Sequence, residues 1–317
     1  MTPEQLSALR QQLPCFGSEG AQPSLLQAFC RFYGIDFAEQ LAGVSHHCGT
    51  VESGEFNLAV HYWQCKDARA NLLLMHGYFD HTGLYGKLIG WALAAGCNVL
   101  MFDLPGHGLS TGQPAVINDF GHYSAAIDDV LQAVELPEVP LWAMGQSTGC
   151  AALTDYARHF DWPFAATVLL APLVRPASWG LVRAAYFLTG RWVDSVPRTF
   201  TDNTSDREFL EFIRHDPMQC RQTSVVWVGA LRNWLRALPL EDLGVGPVQV
   251  VQGDNDATVD WRYNLKAIVR LYPHSRVLRL VGAGHQLANE SEAHRYTYLK
   301  TITAYLRKQD IELKAQV

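Results

Sequence analysis

The 317-residue sequence has no long hydrophobic run and no cluster of basic residues. Because a membrane-spanning helix needs about 20 consecutive apolar residues, no such helix is expected. The N-terminal segment contains Glu4 and Arg10 and lacks the apolar core of a secretory signal, so a cytoplasmic location is expected. The net charge of −6 and the absence of a Lys/Arg-rich run argue against nucleic-acid binding.

Cysteine is sparse and scattered. The seven cysteines are an odd number, and they form neither a C-x-x-C pair nor the Cys/His spacing of a zinc site. We therefore expect reduced thiols and no metal site. The composition, 48% hydrophobic and 18% charged, is that of a globular protein able to bury a large core.

Short apolar runs alternate with helical stretches from about residue 70 onwards. A continuous apolar run is typical of a parallel strand that helices cover on both faces. The sequence therefore predicts an α/β fold with one mostly parallel, doubly wound sheet. The predicted strands are Leu72–Met75, Val99–Phe102, Pro140–Met144, Thr167–Leu170, Val248–Val251 and Val277–Val281.

The alternation stops between residues 172 and 240, where helices can be drawn but no strand run occurs. An insertion between strands is the usual position of a cap over an active site. We therefore predict an N-terminal helical extension over 1–43, an α/β core formed by 44–171 and 241–317, and a helical cap over 172–240.

The predicted cap is positively charged and aromatic. Ser205 followed by Glu208 has capping-box spacing and predicts the start of a helix. Residues 173–240 contain nine arginines and six acidic residues. This surface could make transient contact with an anionic membrane, although arginines that only solvate a helical surface are the simpler interpretation. Aromatic residues could line an acyl tunnel, but as a default they form the cap core: Trp179, Tyr186, Phe187, Trp192, Trp227 and Trp234.

The segment 145–149, Gly-Gln-Ser-Thr-Gly, has the pattern G-x-S-x-G. It follows a predicted strand and precedes a helix-compatible stretch, which is the context of a nucleophile elbow. In such an elbow the flanking residues must be small, and the turn lifts the serine hydroxyl onto a helix N-terminus. Ser147 is therefore the candidate nucleophile.

A serine nucleophile needs a base and an acid, which follow it along the chain in this type of fold. Loops after the last two predicted strands supply both. His285 lies in the Gly-flanked loop 282–285, and three aspartates lie in the preceding loop. We favour Asp256 as the acid, because Asp254 resembles a turn residue and Asp260 a helix N-cap.

Backbone N–H groups must stabilise the oxyanion of the reaction. The residue after the nucleophile, Thr148, would supply one donor, and Tyr78 in the loop after an earlier strand would supply the other. Phe79, Gln146 and Val259 are expected to contact the substrate. Phe79 follows Tyr78, Gln146 precedes Ser147, and Val259 lies in the loop of Asp256.

Seven segments of the chain match the pattern of a known family. They are HGYFDHTGLY (76–85), FDLPGHGLSTG (102–112), GQSTG (145–149), APL (171–173), DPMQCR (216–221), QGDNDATVD (252–260) and GAGHQLANE (282–290). With these segments the chain resembles the monoacylglycerol lipase and lysophospholipase branch of the α/β hydrolases, which is sometimes grouped with the serine aminopeptidases. The resemblance covers about residues 55–308 and implies a Ser147, Asp256 and His285 triad, an oxyanion hole from Tyr78 and Thr148, and a cap that admits an acyl chain. The family often has small residues where this chain has Tyr78 and Phe79.

These observations predict a serine hydrolase that cleaves a lipid-like carboxylic ester, such as a monoacylglycerol or lysophospholipid, through an acyl-enzyme. This mechanism requires no metal or organic cofactor. A thioesterase, lactonase or aminopeptidase would use the same triad. A non-catalytic binding protein is the remaining alternative, and it usually lacks one triad member. No feature of the sequence indicates an oligomeric state.

Overall fold

An eight-stranded sheet runs through the centre of the computed structural model, which describes residues 1–190 and 192–314. Two further short strands pair with each other outside this sheet. In chain order the strands are β1 (Val44–Ser53), β2 (Phe56–Cys65), β3 (Ala70–Met75), β4 (Cys97–Phe102), β5 (Leu141–Gln146), β6 (Ala166–Leu170), β7 (Ser195–Pro197), β8 (Gln222–Ser224), β9 (Val248–Gly253) and β10 (Arg276–Leu280).

The central sheet has the order β1-β2-β4-β3-β5-β6-β9-β10. The pairs β1–β2 and β2–β4 are antiparallel, and every other neighbouring pair in this sheet is parallel. The predicted mostly parallel, doubly wound sheet is therefore confirmed. In a sheet of this type, loops at the carboxyl ends of the strands form the ligand site.

Helices cover both faces of the sheet. Among the described residues, 3₁₀ turns at Thr82–Tyr85 and Leu287–Asn289 also follow β3 and β10. The helices are α1 (Pro3–Gln12), α2 (Ser24–Tyr33), α3 (Phe37–Gln40), α4 (Gly86–Ala94), α5 (Gly121–Ala133), α6 (Thr148–His159), α7 (Trp179–Thr189), α8 (Arg207–His215), α9 (Val225–Ala237), α10 (Trp261–Leu271) and α11 (Glu292–Lys314).

The apolar runs of the strands are continuous because each face of the sheet has its own hydrophobic core. Along β3, Leu72 and Leu74 belong to one core and Leu73 belongs to the other. Successive side chains of a strand point to opposite faces, so a strand buried on both faces is apolar at most of its positions.

The first forty residues contribute to one of these cores. Leu9, Phe29 and Ile35 are fully buried in the same cluster as Trp63 of β2. The indole N–H of Trp63 also donates a hydrogen bond to the carbonyl of Ile35, at 3.2 Å. The N-terminal helices therefore pack as part of the molecule, while the boundary at residue 43 stays a prediction.

The region between β6 and β9 contains α7, α8, α9 and the antiparallel pair β7–β8. This strand pair was not predicted, because three-residue strands carry no periodic pattern. The predicted start of a helix at Ser205 is wrong by one residue. The side chain of Asp206 caps α8 by accepting from the N–H of Phe209, and Ser205 donates instead to Glu290.

The aromatic residues of this region differ in burial, and Trp179 and Tyr186 are half-buried. Trp227 and Trp234 are buried, as the default interpretation expects. Phe187 and Trp192 are instead exposed, so their assignment to the cap core is wrong. Within the part of the chain that the structure describes, no helix is long and apolar enough to cross a membrane. All seven cysteines lie in that part and are free thiols.

Candidate active site

Ser147 lies at the sharp turn between β5 and α6. Its backbone has φ of 52° and ψ of −109°, a conformation that L-residues rarely adopt and that stores strain. The backbone N–H of Ser147 donates to the carbonyl of Leu170 at 2.9 Å, which fixes the turn to the neighbouring strand β6. This strand, turn and helix form the nucleophile elbow expected from the sequence.

The glycines on either side of Ser147 are required by close backbone contacts. A Cβ atom on Gly145 would lie 2.8 Å from the backbone nitrogen of Cys150, and one on Gly149 would lie 2.5 Å from the carbonyl oxygen of Met75. Side chains at these two positions would therefore force α6 away from β3 and β5.

A continuous chain of hydrogen bonds joins Ser147, His285 and Asp256. The hydroxyl Oγ of Ser147 lies 2.8 Å from Nε2 of His285, and Nδ1 of the same imidazole lies 2.8 Å from Oδ2 of Asp256. All three residues are buried. An Nδ1–H donated to the carboxylate leaves Nε2 free to accept the serine proton.

Burial and charge oppose each other at His285. Burial disfavours the imidazolium, but the carboxylate of Asp256 outweighs burial and raises the pKa of His285 above its ordinary value of 6.5. Burial likewise opposes ionisation of Asp256, but His285 and several hydrogen bonds lower the pKa of this carboxyl. The carboxylate of Asp256 therefore stays charged beside an imidazole of His285 that is more basic than usual.

Asp256 is held by its own loop. Its Oδ1 accepts from the backbone N–H groups of Thr258 at 2.9 Å and Val259 at 3.1 Å, and its Oδ2 accepts from Nε2 of Gln252 at 3.0 Å. These bonds orient the carboxylate towards His285.

The other two aspartates of this loop have different partners. Oδ1 of Asp254 accepts from the backbone N–H of Gly282 at 2.7 Å. Asp260 is the N-cap of α10, and it also forms an ion pair of 2.6 Å with Arg175. Of the three carboxylates, the structure brings Asp256 to His285.

Tyr78 and Thr148, the predicted oxyanion donors, lie in two segments that adjoin Ser147. Thr148 is the first residue of α6, and the loop carrying Tyr78 passes so close that a Cβ on Gly77 would lie 3.4 Å from Cβ of Ser147. Within the described residues, neither backbone N–H donates a turn or loop hydrogen bond. A free N–H at the N-terminus of α6 suits a developing oxyanion, and a second from the adjoining loop is expected beside it.

The side chain of Tyr78 points into the region between β6 and β9. Its hydroxyl donates to the carbonyl of Ala115 at 2.7 Å, and its ring stacks on Trp227 of α9 with the centroids 4.0 Å apart. The side chain of Tyr78 therefore anchors the loop away from Ser147, and only the backbone of Tyr78 can serve the site.

The three residues expected to contact the substrate have other contacts in the structure. Gln146 donates from Nε2 to the carbonyl of His285 at 2.9 Å, and Val259 is buried with its N–H on Asp256. Phe79 is partly exposed and lies under the guanidinium of Arg198, 4.0 Å from the ring centroid. Their contact with substrate stays a prediction.

A buried carboxylate that the sequence did not predict as part of the site, Asp80, lies next to His285 and Ser147. Nε2 of Gln286 donates to both of its oxygens, at 3.0 and 2.8 Å, and the hydroxyl of Tyr85 donates to it at 2.9 Å. The same hydroxyl accepts from the N–H of Gly77 at 3.0 Å. Asp80 thus links the loop of Tyr78 to the loop of His285, and its place in a matching segment was the only signal for it.

Neighbouring histidines have structural contacts instead of a place in the triad. Nε2 of His76 accepts from the N–H of Leu104 at 2.9 Å, and Nδ1 of His107 lies 2.9 Å from the carbonyl of Pro105. Burial lowers the pKa of His76 to about 4 and that of His107 to about 3. Across the residues described, no group of three or more His, Cys, Asp or Glu side chains is arranged to hold a metal ion.

Comparison with known sequences gives one family match. The sequence model of the serine aminopeptidase, S33, family matches residues 66–292. Phospholipase YtpA of Bacillus subtilis is 24% identical over 245 residues, which are 73% of this chain and 93% of that protein. Monoglyceride lipase of Mus musculus is 28% identical over 221 residues, which are 63% of this chain and 69% of that protein.

Comparison with solved structures shows the same fold. A soluble variant of monoglyceride lipase from Saccharomyces cerevisiae, solved with a substrate analogue, superimposes with a TM-score of 0.71 at 18% identity. The superposition covers 83% of this chain and 94% of that one. The α/β-hydrolase architecture expected from the sequence is therefore confirmed.

Proposed function

Because this chain belongs to the serine aminopeptidase (S33) family, we propose that it is a serine hydrolase that cleaves lipid-like carboxylic esters through an acyl-enzyme. The observation that carries the proposal is the unbroken hydrogen-bond chain from Ser147 through His285 to Asp256. The names of the related phospholipase and monoglyceride lipase support a lipid ester as the substrate.

In the proposed reaction, Oγ of Ser147 attacks the ester carbonyl while Nε2 of His285 takes its proton. The carbonyl electrons move to the oxygen, and the N–H groups of Tyr78 and Thr148 stabilise this oxyanion. When the tetrahedral intermediate collapses, His285 gives its proton to the leaving alcohol and the acyl group stays on Ser147.

Deacylation repeats the sequence with water as the nucleophile. His285 takes a proton from the water, the hydroxide attacks the acyl carbon, and Ser147 leaves with the proton returned by His285. Asp256 stays ionised throughout and stabilises the imidazolium in both halves. Each step uses groups of this chain and water, so no cofactor is part of the proposal.

The proposal is tested by labelling and by turnover. A fluorophosphonate probe should label the wild type and should not label Ser147→Ala. Hydrolysis of para-nitrophenyl esters of graded chain length should then rank the acyl preference. Equal labelling of both proteins, or no turnover of any ester by the wild type, would contradict the proposal and favour a non-catalytic binding protein.

A second panel of substrates identifies the class of bond that the protein cleaves. A monoacylglycerol and a lysophospholipid are the expected substrates. A thioester, a lactone and an aminoacyl anilide represent thioesterase, lactonase and aminopeptidase activity on the same triad. Highest kcat/KM on one of the last three would replace the lipid ester in the proposal and leave the triad unchanged.

We also propose that α7 and the residue Trp192 after it make the transient membrane contact. Large apolar side chains on this segment are exposed: Leu181 at 74%, Phe187 at 84%, Leu188 at 67% and Trp192 at 81%. Patches of this kind on a soluble protein mark interaction surfaces. Arginines line the neighbouring cavity of about 850 Å³. Arg175 is paired with Asp260, and the others suit anionic lipid headgroups: Arg183, Arg232 and Arg236.

Vesicle binding tests this contact. The wild type should sediment with phosphatidylglycerol vesicles more than with phosphatidylcholine vesicles, and less at high salt. Phe187→Ser combined with Trp192→Ser should weaken binding while turnover of a soluble para-nitrophenyl ester stays unchanged. Equal sedimentation of the double variant and the wild type would contradict the proposal.

A further inference from the structure

A buried carboxylate between α8 and β8 connects three separate parts of the chain. Asp216 accepts hydrogen bonds from the hydroxyl of Tyr33 at 2.6 Å and from Nε2 of His81 at 2.8 Å. It also accepts from the N–H of Met218 and from Nε2 of Gln219, both at 3.1 Å. We call these five residues the Asp216 cluster. Tyr33 ends α2, and His81 lies in the loop that carries Tyr78.

The centre of the Asp216 cluster is an ion pair. The side chains of His81 and Asp216 are both fully buried. Burial alone would raise the pKa of Asp216, but His81 and the other donors lower it to about 2. Burial alone would lower the pKa of His81, but Asp216 raises it. Buried partners of opposite charge resist separation, because either charge would be left uncompensated in the interior.

The Asp216 cluster contacts the loop just after a strained residue and reaches that residue itself through Arg198. Phe79 has φ of 71°, in the left-handed region that disfavours a bulky side chain. Arg198 lies over the Phe79 ring, and its Nη1 donates to Oε1 of Gln219 at 2.7 Å. The segment that contacts His81 through Asp216 therefore also contacts Phe79 through Gln219 and Arg198.

Tyr33 packs directly on the 3₁₀ turn that follows this loop. A Cβ atom on Gly83 would lie 2.6 Å from Cγ of Tyr33, so the absence of a side chain at Gly83 admits the ring. The ring also meets His81 edge-on, with the centroids 5.0 Å apart. Tyr33 lies outside residues 66–292, which match the family.

We propose that Tyr33 is a positioning residue of the oxyanion loop. The N-terminal helix α2 supports the backbone N–H of Tyr78 through the hydroxyl of Tyr33, the carboxylate of Asp216 and the imidazole of His81. The inference deepens the proposed function and rests on it, because it gives residues 1–43 a part in stabilising the transition state.

The kinetic test uses Tyr33→Phe, which keeps the ring and removes the hydroxyl. Asp216 retains its other three donors, so the variant is expected to fold. We expect kcat on a para-nitrophenyl ester to fall about tenfold with little change in KM, since the oxyanion hole acts in the transition state. The Ki of an alkyl trifluoromethyl ketone, whose hemiketal oxygen occupies the same hole, should rise by the same factor.

The matched control is Tyr272→Phe. The hydroxyl of Tyr272 is also buried and lies 2.9 Å from Oγ1 of Thr154, away from the loop of Tyr78. Like Tyr33→Phe, the variant Tyr272→Phe removes one buried phenol oxygen, and it should leave kcat and the Ki of the ketone unchanged. If Tyr33→Phe lowers the melting temperature while kcat and Ki match the wild type, the role of Tyr33 is structural and the proposal fails.

Amide hydrogen exchange on the full chain gives a readout that needs no substrate. Peptides spanning residues 76–81 should exchange faster in Tyr33→Phe than in the wild type or in Tyr272→Phe. Unchanged exchange contradicts the role of Tyr33 whatever the wild type hydrolyses. A wild type without esterase activity contradicts the proposed function instead, so the two failures are distinguishable.

Discussion

Nδ1 of His285 lies 2.8 Å from Oδ2 of Asp256, and this contact distinguishes one carboxylate from two others on the same loop. Asp254 accepts a backbone hydrogen bond from Gly282, and Asp260 caps α10. Three aspartates within seven residues thus have three different partners: a backbone N–H in a turn, the imidazole of His285 and the first turn of a helix.

Replacement of Asp256, compared with replacement of Asp254, should show which carboxylate acts as the acid of the triad. We expect Asp256→Asn to lower kcat about 10⁴-fold, because a neutral amide neither fixes the tautomer of His285 nor stabilises the imidazolium. Steady-state turnover, normalised to the concentration of folded protein, measures the effect. Asp254→Asn is the control, since its amide oxygen can still accept from Gly282. An equal loss in both variants would contradict the assignment.

The pH dependence of turnover should follow His285. The imidazole must be neutral to accept the serine proton, and Asp256 raises its pKa above 6.5. We therefore expect kcat/KM to increase with pH through a midpoint above 6.5. In Asp256→Asn the midpoint should move to lower pH, because burial then acts without the compensating carboxylate. A midpoint that moves to higher pH in this variant would contradict the electrostatic account.

The sequence predicts those parts of the site that local patterns encode. Ser147 and His285 each lie in a short Gly-flanked loop after an apolar strand, and the tight turn requires the glycines. The Asp216 cluster has no such signal, because Tyr33 and His81 reach Asp216 across 183 and 135 residues. Their contacts depend on packing between elements, which neither periodicity nor spacing reveals.

The errors in the region between β6 and β9 have a similar cause. Phe187 and Trp192 are apolar and were assigned to the core by residue type, but the structure leaves them exposed. The N-cap of α8 is Asp206 and not Ser205, because Ser205 donates to Glu290, a residue far along the chain. The type of a residue does not specify whether it is buried or which distant residue its side chain contacts.

The buried pair of His81 and Asp216 should make stability depend on pH in a defined window. The pKa of Asp216 falls from 3.8 to about 2 on folding, so its contribution is present above 3.8 and is lost as the pH falls towards 2. The pKa of His81 is raised above 6.5, so its contribution is present below 6.5 and is lost as the pH rises through the folded pKa. The pair therefore stabilises most between about pH 4 and 6.5.

Denaturant unfolding of Asp216→Asn tests this window. The variant should lose about 3–5 kcal/mol of unfolding free energy relative to the wild type within it, because the buried imidazole of His81 loses the carboxylate that compensates its charge and must release its proton on folding. The difference should shrink at lower pH, where the wild-type carboxylate is protonated as well. A difference that is constant across the whole pH range would contradict a charged pair and indicate a loss of hydrogen bonding alone.

Strain at Ser147 predicts a difference in stability between two variants that both lack the nucleophile. The φ of 52° and ψ of −109° disfavour any residue with a Cβ atom, and glycine adopts this conformation without steric cost. Ser147→Gly and Ser147→Ala both lack the nucleophile, so both should be inactive. The glycine variant should nevertheless exceed the alanine variant in unfolding free energy by about 1 kcal/mol, because relief of strain outweighs the larger entropy of the unfolded glycine. Denaturant unfolding at neutral pH measures the difference, and an alanine variant at least as stable as the glycine variant would contradict strain in the elbow.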